Sequence, residues 1–232
     1  WVTRIRQQVA DKMLLGWHTL RPTTTKSKAG AQLKIQPDHS LLVTGKMAAV
    51  DDYEVRASVP PGPITGFRLE ALTHHSLGFQ GPGRKSNFVL THFSVTVHQA
   101  GAKPYNLPFA DVVADHSEES WKVMGAIDPS PTTGWGVWDG VHETAQDRQA
   151  VFRLKETMDI TKGSTLVFRL KQQSRFKEHL LGRFRISFTG IPQPGLATAT
   201  VPPADILELV GKPAETLNAG HQKRLAEFHR TT

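Results

Sequence analysis

Apolar and polar residues alternate along most of the middle of the chain. In Tyr53-Glu54-Val55-Arg56-Ala57-Ser58-Val59 the odd positions are apolar and the even ones polar. That is the period of a strand with one buried face. Pro60-Pro61-Gly62-Pro63 ends it. Phe67, Leu69 and Ala71 alternate with Arg68 and Glu70, and Phe93, Val95 and Val97 with His92, Ser94 and Thr96. Leu166, Phe168 and Leu170 follow the same rule, as do Phe184, Ile186 and Phe188. Shorter candidates are Gln32–Ile35, Leu41–Thr44, Phe109–Val113 and Ala150–Leu154. No long helical pattern separates these about eight or nine strands, so the parallel βαβ arrangement lacks its crossovers. The pattern predicts an all-β, antiparallel two-sheet sandwich, with Tyr53, Val55, Phe93, Val95, Phe168, Phe184 and Phe188 facing inward.

The ends read differently. Val2, Ile5, Val9 and Met13 fall at helical spacing and predict a short helix over residues 1–16. Thr23–Gly30 is rich in Thr, Ser and Lys and reads as a loop. Ile191–Pro203 holds four prolines and reads as a linker, followed by helical patterns at Asp205–Val210 and Glu215–Arg230. The expected organisation is an amino-terminal helix over 1–16, a β-sandwich module over 17–190 and a linker with a helical tail over 191–232. The sequence starts at Trp1 without a signal-peptide pattern and reads as a piece of a larger protein.

Composition narrows the chemistry. Of 232 residues, 38% are apolar and 21% charged, enough for a packed core. The absence of cysteine excludes disulfides, thiolate nucleophiles and Cys-ligated metal centres. No apolar run reaches the ~18 residues of a membrane span. The formal net charge of +7 is unevenly spread. Asp147–Arg185 carries ten Lys/Arg against four acids, and Asp111–Glu143 carries seven acids against one Lys. The basic residues fall on outward strand positions, and no nucleic-acid-binding motif accompanies them, so no nucleic-acid partner is expected.

Several phrases in order carry a family resemblance. They are Ile64-Thr65-Gly66-Phe67-Arg68-Leu69-Glu70-Ala71-Leu72, Gly81-Pro82-Gly83-Arg84, Asn87-Phe88-Val89-Leu90 and Ala126-Ile127-Asp128. Gly134-Trp135-Gly136-Val137, Ala150-Val151-Phe152 and Leu181-Gly182-Arg183-Phe184-Arg185-Ile186-Ser187 follow. Together they resemble a non-catalytic module of large, multidomain secreted planctomycete-type proteins that also carry cytochrome-c-like and uncharacterised domains. The resemblance spans roughly Trp17–Gly190. It implies a galactose-binding-like, discoidin-type jelly roll, an extracytoplasmic (periplasmic or secreted) location and neighbouring domains as partners. Two positions depart from the family phrases: Pro129 follows Asp128 where Gly is usual, and Ser86 precedes Asn87 where Gly is usual.

Such folds place ligands at end loops, and the segment Asp128–Val141 holds Trp135, Trp138 and Asp139. Tryptophan stacks on the apolar face of a pyranose, and Asp accepts hydroxyl hydrogens. A plainer reading puts Trp135 in the core beneath its loop and leaves Trp138 exposed before the Asp139-Gly140 turn. Arg84 is a further candidate for pairing with an acid or a ligand. Asp111, Asp115, Glu118, Glu119 and Asp128 are hard oxygen donors that suit Ca²⁺, and Asp128, within the family phrase, is the candidate metal ligand. An Asp-x-Asp-x-Asp-Gly run is missing, and the eleven histidines form no metal-binding helix motif. Neither a nucleophile elbow nor a phosphate-loop spacing occurs. The expected function is a non-catalytic carbohydrate-binding module whose partner is a glycan or polysaccharide. The alternatives are a structural or protein-interaction module that positions neighbouring domains, and a fragment of a glycan-active enzyme.

Overall fold

The computed structural model describes residues 16–128, 130–140, 145–198 and 204–231. Apart from Gly16, the helix expected over 1–16 lies outside the described residues.

The strands are β1 (His18–Thr19), β2 (Pro22–Ser27), β3 (Ala31–Ile35), β4 (Leu41–Gly45), β5 (Asp51–Ser58), β6 (Gly62–Ala71) and β7 (Val89–Leu90). They continue with β8 (His92–His98), β9 (Tyr105–Asn106), β10 (Phe109–Ala114), β11 (Trp135–Gly136), β12 (Arg148–Ile160), β13 (Thr165–Gln172) and β14 (Arg183–Thr189). One sheet runs β10-β12-β6-β14-β4-β3, with β1 also paired to β14. The second runs β2-β5-β13-β8-β9, and β7 pairs with β11 in a small third sheet. All the strand pairings among the described residues are antiparallel. The two large sheets are not closed into a barrel. Short helices follow, α1 (Ala204–Gly211) and α2 (Ala219–Thr231). Asn218 caps α2, its side-chain oxygen accepting from the His221 amide at 2.9 Å.

The period-two pattern places the core. Tyr53, Val55, Phe93, Val95, Phe168, Phe184 and Phe188 are all buried. Their rings meet across the two sheets. Phe93 on β8 lies 4.3 Å from Phe152 on β12, and Phe168 on β13 meets Phe67 on β6 edge-on at 5.3 Å. Tyr53 on β5 stacks toward Phe184 on β14 at 6.0 Å. Contacts of this kind add to the area buried by each ring.

Two expectations need correction. The segment expected as a loop over Thr23–Gly30 instead supplies β2, with Thr25 opposite Val55. It is an edge strand in which only Ser27 is buried, so it needs no hydrophobic alternation. Arg68, placed outward by the alternation, is only 6% exposed. Trp17 covers its guanidinium at 5.3 Å, and Glu70 approaches at 3.5 Å. A cation under an indole and beside a carboxylate keeps its charge compensated away from water.

Other outward arginines are tied into ion pairs. Arg185 grips Glu70 through two hydrogen bonds of 2.8 Å, the bidentate geometry that suits guanidinium. Asp38 accepts from Arg183 at 2.7 Å and Arg185 at 3.4 Å, and from the Ser40 hydroxyl at 2.6 Å. Burial pushes the Asp38 carboxyl up, but the Ser40 hydrogen bonds and the two arginines outweigh it and hold it below the usual carboxylate range. A depressed folded-state pKa adds stability that is present above the unfolded value of about 3.9 and is lost as pH falls through the folded value. Denaturation midpoints measured from pH 6 to pH 2 are therefore expected to fall less steeply in Asp38→Asn than in the parent chain.

Candidate functional site

The loop between β6 and β7 is built by close backbone approach. Gly78 and Gly83 lie against the segment Lys85–Asn87, where an added Cβ would come within 2.0 Å of the Lys85 carbonyl oxygen and 1.9 Å of that of Asn87. Only glycine fits there. Between them, Phe79 and Gln80 both adopt left-handed backbone, with φ of 49° and 57°. Non-glycine residues pay about 1–3 kcal/mol for such strain, and it persists only when the surroundings impose it. Amide bonds from Gln80 to Leu77 at 3.0 Å, Gly81 to Gly78 at 3.1 Å and Gly83 to Ser86 at 2.8 Å do so. The outcome is an aromatic ring pushed into solvent: Phe79 is 70% exposed.

The segment after β13 zips onto this loop. Arg84 donates its amide to Leu180 at 2.7 Å, Val89 donates to His179 at 3.0 Å, and Lys85 forms an ion pair with Glu178. Phe176 is thereby held between Trp121, 5.7 Å away and edge-on, and His179 at 5.4 Å. Asn87 closes the third side, its side-chain oxygen accepting from the Phe88 amide at 2.7 Å and the Val137 amide at 3.3 Å. Four chain segments thus border a cleft of about 660 Å³, whose lining includes Phe79, Trp138, Phe176, Arg84, Glu118 and His179.

The tryptophans at β11 separate by burial. Trp135 is 0% exposed, meets Phe88 edge-on at 5.1 Å and donates its indole N–H to the His116 carbonyl at 2.8 Å. Trp138, three residues on, is 49% exposed and lines the cleft. Asp139 follows it and is exposed, but does not line the cleft. Arg84 lines the cleft while two of its guanidinium nitrogens hold the carbonyls of Gly45 and Lys46, at 2.8 and 2.5 Å. Its first job is to tie the β4–β5 turn to the loop. Burial raises the Glu118 carboxyl above the ordinary value, against the opposing charges of His179, Arg175 and His116. A carboxyl, an imidazole and exposed rings in one cleft can stack on an apolar face and exchange hydrogen bonds with hydroxyls.

Asp128 serves its own loop. Its Oδ1 accepts from the Ser130 amide at 2.8 Å and the Thr133 hydroxyl at 2.7 Å, and His92 Nδ1 lies 2.7 Å from its carbonyl oxygen. Among the described residues no three His, Asp or Glu side chains converge on one point. Ca²⁺ is therefore expected to leave the melting temperature essentially unchanged. A single site at a hundredfold excess over Kd would instead add about 2.7 kcal/mol, readily visible by calorimetry.

Phe79, Phe176 and His179 were not singled out by sequence pattern. The signal that could have found Phe79 is the glycine spacing of Gly78, Gly81 and Gly83 around it. Phe176 and His179 join the cleft only through long-range pairing, which no local pattern encodes. No protein-family model matches the chain, and no curated protein matches its sequence. No helix among the described residues is long and apolar enough to cross a membrane.

Proposed function

We propose that this chain is a non-catalytic carbohydrate-binding module and that the glycan lies in the cleft between Phe79 and Trp138. The observation that carries the reading is the pair of exposed aromatic side chains lining one polar-edged cleft. The two rings share one cleft instead of being scattered singly, and Phe79 is presented from a strained left-handed backbone. Glu118, His179 and Asn87 supply acceptors and donors for sugar hydroxyls. The antiparallel two-sheet framework is compatible with the galactose-binding-like, discoidin-type resemblance, and it is that resemblance which implies ligand loops at one end and a place outside the cytoplasm in a larger protein.

A glycan array followed by titration calorimetry on the best ligand tests it. Trp138→Ala and Phe79→Ala are each expected to weaken binding by about 1–3 kcal/mol, the worth of burying a large apolar side chain. Neither should shift the melting temperature by more than a degree or two. If no glycan binds, or if binding survives in both variants, the cleft is not a sugar site and a structural module that positions neighbouring domains takes its place.

A further inference from the structure

The outer face of the five-stranded sheet carries a second concavity, of about 460 Å³, lined by Lys26, Lys28, Asp52, Glu54, Arg169 and Lys171 together with the buried Tyr53. Strand register arranges these side chains in rows. Lys26 on β2 lies opposite Glu54 on β5, which lies opposite Arg169 on β13. Asp52 lies opposite Lys171 in the next outward row, about 7 Å along the strands. Glu54 receives Arg56 at 2.8 Å and Arg169 at 3.4 Å. Asp52 receives Gln173 at 2.5 Å and the Lys28 ammonium at 3.7 Å. Lys26 and Lys171 have no ion-pair partner among the described residues. The groove therefore holds cations in excess and, between them, carboxylates with acceptor positions to spare, since each carboxylate offers about four.

We infer that this groove is a binding surface for an anionic polysaccharide, whose charged groups meet Lys26, Arg169 and Lys171 and whose hydroxyls donate to Asp52 and Glu54. The alternating signs select that polymer over nucleic acid. A nucleic acid duplex carries a phosphate charge for every ~1.7 Å of its axis, and acids in the middle of the groove repel it. The groove also offers no exposed aromatic side chain on which a base could stack. A sugar polymer presents sparser charge and many hydroxyl donors, matching both kinds of group. Lys171 and Phe176, which lines the aromatic cleft, are five residues apart, at most about 17 Å of chain. None of the six charged residues lines that cleft, and the inference stands without it.

Affinity electrophoresis of the full chain through alginate, dextran sulfate, neutral dextran and poly(dT) tests it. The expected result is retardation by alginate, dextran sulfate or both, weakening with added salt, and none by neutral dextran. Which of the two retards identifies carboxylate or sulfate as the recognised group. Lys171→Gln and Arg169→Gln should each raise the apparent Kd about tenfold. Lys34→Gln, at an exposed position on β3 of the other sheet, should leave this binding unchanged. No retardation by either charged polysaccharide would overturn the inference. So would retardation by poly(dT) as strong as by the polysaccharides, the signature of an indiscriminate basic face. Loss of polyanion binding in Trp138→Ala would overturn it by moving the contact into the cleft.

Discussion

Trp135→Ala is expected to destabilise the chain by about 3–5 kcal/mol, the cost of truncating a fully buried large aromatic. Three contributions act together. The indole is wholly inaccessible to solvent, so its removal leaves a cavity among Phe88 and its neighbours. Its N–H is the donor to the His116 carbonyl, which loses its partner. Its strand, β11, pairs with β7 through Trp135–Leu90 and Gly136–Val89, and Gly136 also bonds Glu118 and Trp121 through its backbone at 2.8 and 3.0 Å, so the lost ring lies where three segments meet. In a chain of this size the melting temperature should drop on the order of 10 °C. Trp138→Ala, three residues away, should stay within about 0.5 kcal/mol of the parent, as surface substitutions do. Urea denaturation followed by fluorescence measures both. Equal effects of the two substitutions would show that the segment does not divide into a buried and a presented indole.

How much of this was legible depended on whether a residue's environment is set locally. The inward positions of β5, β8, β13 and β14 follow from period-two alternation, because each sheet buries one face and leaves the other wet. Edge strand β2 escaped that rule: with only Ser27 of Pro22–Ser27 buried, nothing forces apolar residues onto it. Arg68 escaped it for the opposite reason, since Trp17 folds over an otherwise outward face. The cleft was partly legible. Trp138 and Arg84 were candidates from the sequence, and both line it. Phe79 depends on two successive left-handed residues, a conformation that phenylalanine and glutamine disfavour, so propensity argues against the very geometry that exposes it. Phe176 and Glu118 reach the cleft from segments distant in sequence, joined by backbone bonds such as Glu118 to Gly136 at 2.8 Å. Asp128, the metal candidate from the sequence, has its Oδ1 engaged within its own turn by the Ser130 amide and the Thr133 hydroxyl.

Gly83→Ala is expected to cost about 3 kcal/mol, the upper end of the range for forcing atoms into a packed interior. The new methyl would stand 1.9 Å from the Asn87 carbonyl oxygen and 2.9 Å from that of Ser86. Both are backbone atoms, so no rotamer change relieves the contact. The strands of the loop must part, which strains the Gly83–Ser86 bond of 2.8 Å and the bridge between Gly83 and Leu181. Displacing Asn87 also removes the acceptor at the Val137 amide, next to Trp138. Loss of stability should therefore come with loss of glycan binding, even at temperatures where the variant is still folded. Gly195→Ala is the control: an added Cβ there meets nothing within 4 Å, and it should remain within about 0.5 kcal/mol of the parent. Thermal melts and glycan titration of both variants decide the matter. A Gly83→Ala chain that melts with the parent and still binds would mean that the loop does not pack against Lys85–Asn87, and that Phe79 is not presented by strain.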